Sequence, residues 1–162
     1  MIDEDWLPRP AEAEPSGIEL RVAPVVPLPA SMGGAGEVLM MAAFGSVKLP
    51  AGEVRKGESL QQAVRRVALT MTGAVVQPER LVYLVEQAGR HLLVCILCAL
   101  EDTDAADAKP GARFVRVSAE TDLEPAILRE LLIEDAPSGC VRPCAWVVST
   151  FDDGRPAADV RW

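Results

Sequence analysis

Four cysteines stand in two close pairs, Cys95 and Cys98 in "CILC" and Cys140 and Cys144 in "CVRPC". Four thiolates at such spacing are a possible donor set for structural zinc. Cys95 and Cys98 lie, however, inside an apolar, β-branched run, where residues three apart project to opposite faces of a strand and cannot meet on one ion. Buried, unmodified thiols are the expectation, with a reversible Cys140–Cys144 link as the alternative. The single histidine, His91, sits beside an expected hairpin turn and reads as an exposed turn residue before a general base. The acids Glu53, Glu86, Glu101, Asp102 and Asp104 are spread along the chain, and "EDTDAADAKPG" reads as a solvated acidic loop. The densest chemistry lies in "KLPAGEVRKGESLQQAVRRVALTMTGAVV", Lys48 to Val76. There a loop with Gly52, Arg55, Lys56 and Glu58 runs into a segment with Arg65, Arg66 and Gly73.

The elements that must hold these residues follow from periodicity. Leu60, Ala63, Val64, Val67, Ala68 and Met71 recur at helical spacing on one face, and Gly73 supplies a stop. Before this helix, "IELRVAPVVPL" reads as a strand near an edge or broken by Pro24 and Pro27, since proline cannot donate to a ladder. "SMGGAG" is a turn joining it to the strand "EVLMMAAF" as a hairpin. The loop "GSVKLPAGEVRKGE" is expected to hold no regular structure. "RLVYLVEQ" and "HLLVCILCAL" flank "AGR" as a second hairpin. A short strand, "RFVRVS", precedes a second helix in "TDLEPAILRELLIEDA", with Thr121 or Asp122 as its cap and Pro125 in the first turn. "AWVVSTF" and "AADVRW" close the chain as a hairpin around "DDGRP". Strands then helix, twice, predict an α+β fold.

At 162 residues the chain suits one domain with a substantial core. About half of it is apolar but only 4% is aromatic, so aliphatic side chains must fill that core. The acidic, Pro-rich stretch 1–16 reads as a loose arm or, alternatively, as a short motif around "DEDWLP" that docks Trp6 on a partner or on the domain, and residues 17–162 as a single domain. The formal charge of −8 and the lack of a basic block make nucleic acid an unlikely main partner. The longest apolar run, 92–100, is about half a membrane span, and the N-terminus lacks the marks of a secretory signal. A cytoplasmic protein without membrane contact is the expectation.

The Lys48–Val76 segment resembles the box of the Nudix hydrolases, GX5EX7REUXEEXGU with U a bulky aliphatic, usually preceded by a Leu-Pro-Gly-Gly loop. "LPAG" ends on Gly52, Glu58 follows after five residues, Arg66 after seven more, and Gly73 closes the box in register. The resemblance implies an α/β/α sandwich with a mixed sheet between helices, over most of residues 18–136. It also implies that Glu58 begins the helix and pairs with Arg66 to tie loop to helix. The departures fall on the chemistry. Val67, Thr70 and Met71 stand where the family places the glutamates that ligate magnesium, and Ala68 and Ala74 replace larger aliphatics. Mg²⁺ wants oxygen ligands in near-octahedral geometry, and a two-metal clamp needs several converging charges.

Three functions follow as expectations. The leading one is a catalytically silent Nudix-fold domain acting as a protein-interaction or regulatory module, with no cofactor or metal, an unidentified protein partner and, by resemblance, a possible homodimer. The second is a sensor that binds a nucleotide, nucleotide sugar or ADP-ribose without cleaving it. Its diphosphate would meet Arg55, Lys56, Arg65 or loop amides, and Phe44, Tyr83 or Trp146 would offer a platform for a base. The third is an active, Mg²⁺-dependent diphosphatase that rebuilds its metal site from Glu53, Glu86, Glu101, Asp102 or Asp104.

Overall fold

The computed structural model describes residues 17–34, 36–87, 91–102, 107–149 and 156–161. The 1–16 arm with Trp6, the turn "AGR", residues 152–155 of "DDGRP", and Asp104 lie outside them. The described residues form ten strands and two α-helices: β1 Glu19–Val25, β2 Glu37–Ala43, β3 Ser46–Lys48, β4 Gly52–Glu53, α1 Leu60–Thr72, β5 Val75–Gln87, β6 His91–Asp102, β7 Ala112–Arg116, β8 Leu123–Glu124, α2 Ala126–Asp135, β9 Ala145–Ser149 and β10 Pro156–Arg161. The α+β class holds. The strands divide into a mixed six-stranded sheet, β10-β9-β5-β6-β1-β4, and a four-stranded sheet, β7-β2-β3-β8.

The two helices pack against opposite faces of the larger sheet. On one face, α1 buries Ala63, Val64, Val67 and Ala68 against Val22 of β1, Val76 of β5 and Val94 and Ile96 of β6. On the other, Ile127, Leu128, Leu131 and Leu132 of α2 meet Val25, Tyr83, Val85 and Cys95, with Val38 and Met40 of the second sheet closing the cluster. The strict alternation of β6 makes both clusters possible. Cys95 belongs to the α2 side and Cys98 to the α1 side, the opposed projection expected of residues three apart. All four thiols are free. Burial pushes Cys98 up to about 12 and Cys140 up to about 11, which keeps both protonated at neutral pH.

Several local expectations are corrected. β1 and β2 pair only across the bend after Val25, through Leu28 N–H to the Glu37 carbonyl (2.9 Å) and Leu39 N–H to the Val26 carbonyl (2.9 Å), and then part into different sheets. Pro24 is accommodated because β4 pairs only with Arg21 and Val22, so no partner there needs the missing N–H. The loop thought irregular contains β3 and β4. Neither Thr121 nor Asp122 caps α2: Pro125 occupies that position without a side-chain bond, and Thr121 Oγ1 instead accepts from Ser118 N–H at 2.9 Å. His91 is no turn residue. It opens β6, half-buried, in register with Gln87 and Glu19.

Among the described residues, no helix is long and apolar enough to cross a membrane.

Candidate functional site

The loop from Leu49 to Ser59 is anchored at both ends. Leu49 and Pro50 are buried, and Gly52 enters the larger sheet opposite Val22. At its far end, Ser59 caps α1 reciprocally: Ser59 Oγ accepts from Gln62 N–H at 3.1 Å, and Gln62 Oε1 accepts from Ser59 N–H at 2.9 Å. This capping box satisfies two of the helix's orphan donors and sets where the helix begins. At the other end Gly73, with φ +84°, adopts the left-handed conformation that closes α1.

Glu58 and Arg66 make the expected link. Arg66 donates from Nε to Glu58 Oε1 at 2.7 Å and from Nη2 to Oε2 at 2.9 Å, a forked, charge-assisted pair. The same Nη2 reaches the Glu53 carbonyl at 2.8 Å, and Glu58 Oε2 also accepts from Arg55 N–H at 3.0 Å. One guanidinium therefore holds loop, helix start and β4 together. The Arg66 hydrogen bonds, and then the Arg55 amide, hold the Glu58 carboxyl down from the usual 4.5 to about 2. A carboxyl depressed in the fold binds its proton less readily there than in the unfolded chain. Its stabilisation is thus present above pH 4.5 and is lost as pH falls toward about 2. Melting curves across that window should fall more steeply for the parent than for Glu58→Gln. Parallel curves would show that the pair contributes nothing to the acid response.

The positions that resemble metal ligands behave quite differently. Val67 is 2% exposed and sits in the apolar cluster under α1. A Cβ on Gly52 would lie 2.8 Å from Val67 Cγ2, so loop and helix are in contact where the glutamate would project. Met71 is half-buried and packed on the same cluster, and Thr70 is exposed. One neutral hydroxyl is the only side-chain oxygen offered, a donor set that does not fit Mg²⁺.

The candidate replacement acids are dispersed. Glu86 lies opposite Leu92, whereas Glu101 lies at the far end of β6. The stretch from Leu92 to Glu101 sets them about 30 Å apart at ~3.3 Å per residue. Glu53 is on β4, three strands from Glu86, about 14 Å away at the usual strand spacing. Among the described residues, no three His, Cys, Asp or Glu side chains are grouped to hold a metal.

The proposed ligand contacts also separate. Arg55 and Lys56 stay together, exposed, just ahead of the α1 N-terminus. Arg65 points toward β5 and donates to Gln77 Oε1 at 2.6 Å. Phe44 is fully exposed at the β2–β3 turn of the other sheet, with φ +51°. Tyr83 offers no platform: it is buried in the α2-side cluster, and its hydroxyl donates to Asp135 Oδ2 at 2.8 Å. Trp146, half-exposed on β9, faces Leu84.

Sequence reasoning missed a polar cluster under α2. Asp135 is buried, accepts from Tyr83 and pairs with Arg142 Nε at 3.3 Å. Arg80 donates to the carbonyls of Cys140 and Arg142, gathering the 140–142 turn against β5. The only signal in the sequence was an acid at the end of an apolar helix, where the helix dipole disfavours it.

It also missed a cavity of about 390 Å³ between the start of α1 and β5, lined by Leu60, Gln61, Pro78, Arg80, Leu81 and Ile96. Among the described residues, β9 pairs with β5 only from Tyr83 to Gln87, so the earlier half of β5 has no strand beside it on that side. Pro78 lies in that half, where a missing N–H is tolerated.

Solved structures place this architecture among known folds. A NUDIX hydrolase from Nitrosomonas europaea superposes with a TM-score of 0.63 at 16% identity, covering 83% of this chain and 78% of that one. A UDP-X diphosphatase gives 0.61 at 15% identity, with 81% and 68% covered. An ADP-ribose pyrophosphatase from Streptococcus suis gives 0.56 at 17% identity, with 83% and 99% covered. The chain has the Nudix fold. No family model matches it, and no curated protein matches it in sequence.

Proposed function

We propose that this chain is a Nudix-fold domain that does not cleave phosphoanhydrides and works by binding, as a protein-interaction or regulatory module of the cytoplasm. The observation that carries this reading is Val67. It stands where the resemblance puts the first metal-ligating glutamate, and it is packed against Gly52 in the apolar cluster. With Met71 on the same cluster, the helix face that would carry charge toward a diphosphate instead contributes to the core. The Glu58–Arg66 pair keeps the loop in place without that chemistry, which suits a scaffold used for recognition.

The test combines thermal shift with phosphate release, against nucleoside triphosphates, ADP-ribose, NAD and nucleotide sugars, each with and without Mg²⁺. No Mg²⁺-dependent shift and no product are expected. Product formed only with Mg²⁺ would overturn the proposal. A second reading, a sensor of nucleoside diphosphates, is favoured by the exposed Arg55 and Lys56 ahead of α1, a helix end suited to anions. It requires a metal-independent shift. Ligand at ~100 times its dissociation constant would stabilise the fold by about 2.7 kcal/mol.

A further inference from the structure

We infer that two copies of this chain associate across a two-fold axis on the α1-side face of the larger sheet, each seating its Trp146 in the other's cleft between α1 and β5. The inference stands whether or not the chain cleaves phosphoanhydrides.

The helix α1 covers only part of that face. Val22, Val94 and Ile96 lie in the cluster beneath it, whereas Leu84 and Leu92 are half-buried at its border. Register extends the face outward: Leu20 stands beside Leu92, Trp146 beside Leu84, and Leu81 beside Ile96. Leu20, Leu81 and Trp146 keep 39%, 41% and 37% of their surfaces exposed. Leu20, Leu92, Leu84, Leu81 and Trp146 thus form one apolar patch across the adjacent strands β1, β6, β5 and β9, and a contiguous patch of this kind marks an interaction surface. One strand face packs on another at about 10 Å, with side chains interdigitating.

The occupant follows from what this face contains. The cleft at its border is lined by apolar Leu60, Pro78, Leu81 and Ile96 and by polar Gln61, Glu79 and Arg80. Arg80 turns its guanidinium to the carbonyls of Cys140 and Arg142, so Gln61 and Glu79 supply the cleft's acceptors. Apolar walls with acceptors suit an indole, whose body is apolar and whose one polar atom donates. Trp146 does not line its own cleft: it stands opposite Leu84, about 10 Å along β5 from Leu81. A two-fold axis between Trp146 and the cleft brings each onto its counterpart in the second copy, which makes the face complementary to itself. A second copy therefore supplies both halves of the match at once. Charge sets the conditions. The chain carries −8, so two copies repel, and Glu79 and Glu86 outnumber Arg80 at the contact. Apolar burial must outweigh that repulsion, and a patch of this size falls at the small end of protein interfaces, so the dimer should dissociate on dilution.

Sedimentation velocity of the full chain from about 1 µM to about 1 mM, the range in which a small interface dissociates, should show monomers giving way to dimers. Added salt should favour the dimer by screening the repulsion. Trp146→Ala and Leu81→Glu, both at half-exposed positions, should each raise the dissociation constant by more than about tenfold, as loss of a central anchor does. Mixed together, the two variants should recover part of the affinity, because the open cleft of one can take the Trp146 of the other. Phe44→Ser, at an exposed turn of the other sheet, should dimerise like the parent, and circular dichroism confirms that each variant is folded. A chain that stays monomeric across the range overturns the proposal. So does dimerisation that survives both substitutions or that Phe44→Ser abolishes, either of which would put the interface elsewhere, and so does dissociation by salt, which would make ion pairs the contact. A mixture no tighter than its components overturns the exchange of Trp146 between copies, and oligomers larger than dimers overturn the two-fold axis.

Discussion

Val67→Glu is expected to destabilise the fold by roughly 3–5 kcal/mol at neutral pH, the cost of an uncompensated charge in an apolar interior. That is a large share of the 5–15 kcal/mol that typically holds a domain together. The substitution removes a valine packed on Gly52 and the α1-side cluster, and puts a carboxylate into that apolar cluster. Thr70→Glu, at an exposed position, should stay within about 0.5 kcal/mol of the parent. The pH dependence has a definite sign. Burial raises the new carboxyl's pKa in the fold, so the folded state binds the proton more readily and the deficit shrinks as pH falls. Urea unfolding at two pH values measures both effects. An unchanged midpoint for Val67→Glu would mean that this position opens to solvent and retains room for a metal ligand. The triple change Val67→Glu, Thr70→Glu and Met71→Glu should likewise be less stable than the parent without metal. Full recovery on adding Mg²⁺ would show that the loop and helix still hold the geometry of a metal site.

Asp135→Ala should cost roughly 2–4 kcal/mol, because it strands the buried Tyr83 hydroxyl and removes the carboxylate facing Arg142. Tyr83→Phe leaves an acceptor short instead, and the double variant should be less damaged than the sum of the two, since both losses belong to one contact. Additive losses would mean that the hydrogen bond is not the link between them. Desolvation, first of all, keeps the Tyr83 proton in place well above the ordinary tyrosine range. The unfolded chain releases that proton near pH 10.0 while the fold does not, so this contribution is complete below that pH and is lost as pH rises further.

Both variants probe places where the chain's order and its spatial neighbours diverge. The helix α1 was legible because its apolar positions recur with the helical period and its end is marked by Gly73, whose left-handed φ few other residues accept. The Glu58–Arg66 link was legible because both residues lie within one loop-helix unit, whose spacing matches a known box. The opposed burial of Cys95 and Cys98 follows from the two-residue period of a strand alone. These are local properties: backbone geometry converts spacing in the sequence directly into direction in space.

What the tertiary structure decided is everything that depends on which strands meet. Splitting ten strands into two sheets turned the expected first hairpin into a crossing between layers. Tyr83, an open platform by composition, became a core residue because β9 and α2 close over that half of β5. Of the acids that looked available for a metal, Glu86 was carried to one end of the β5–β6 pair and Glu101 and Asp102 to the other, with Glu53 apart on β4. The cleft above Leu81 arises from where β9 begins, opposite Tyr83, a boundary that no residue near Leu81 announces. Non-local pairings are chosen by the burial of whole faces, and such a sum over distant residues cannot be read from any one stretch of the chain.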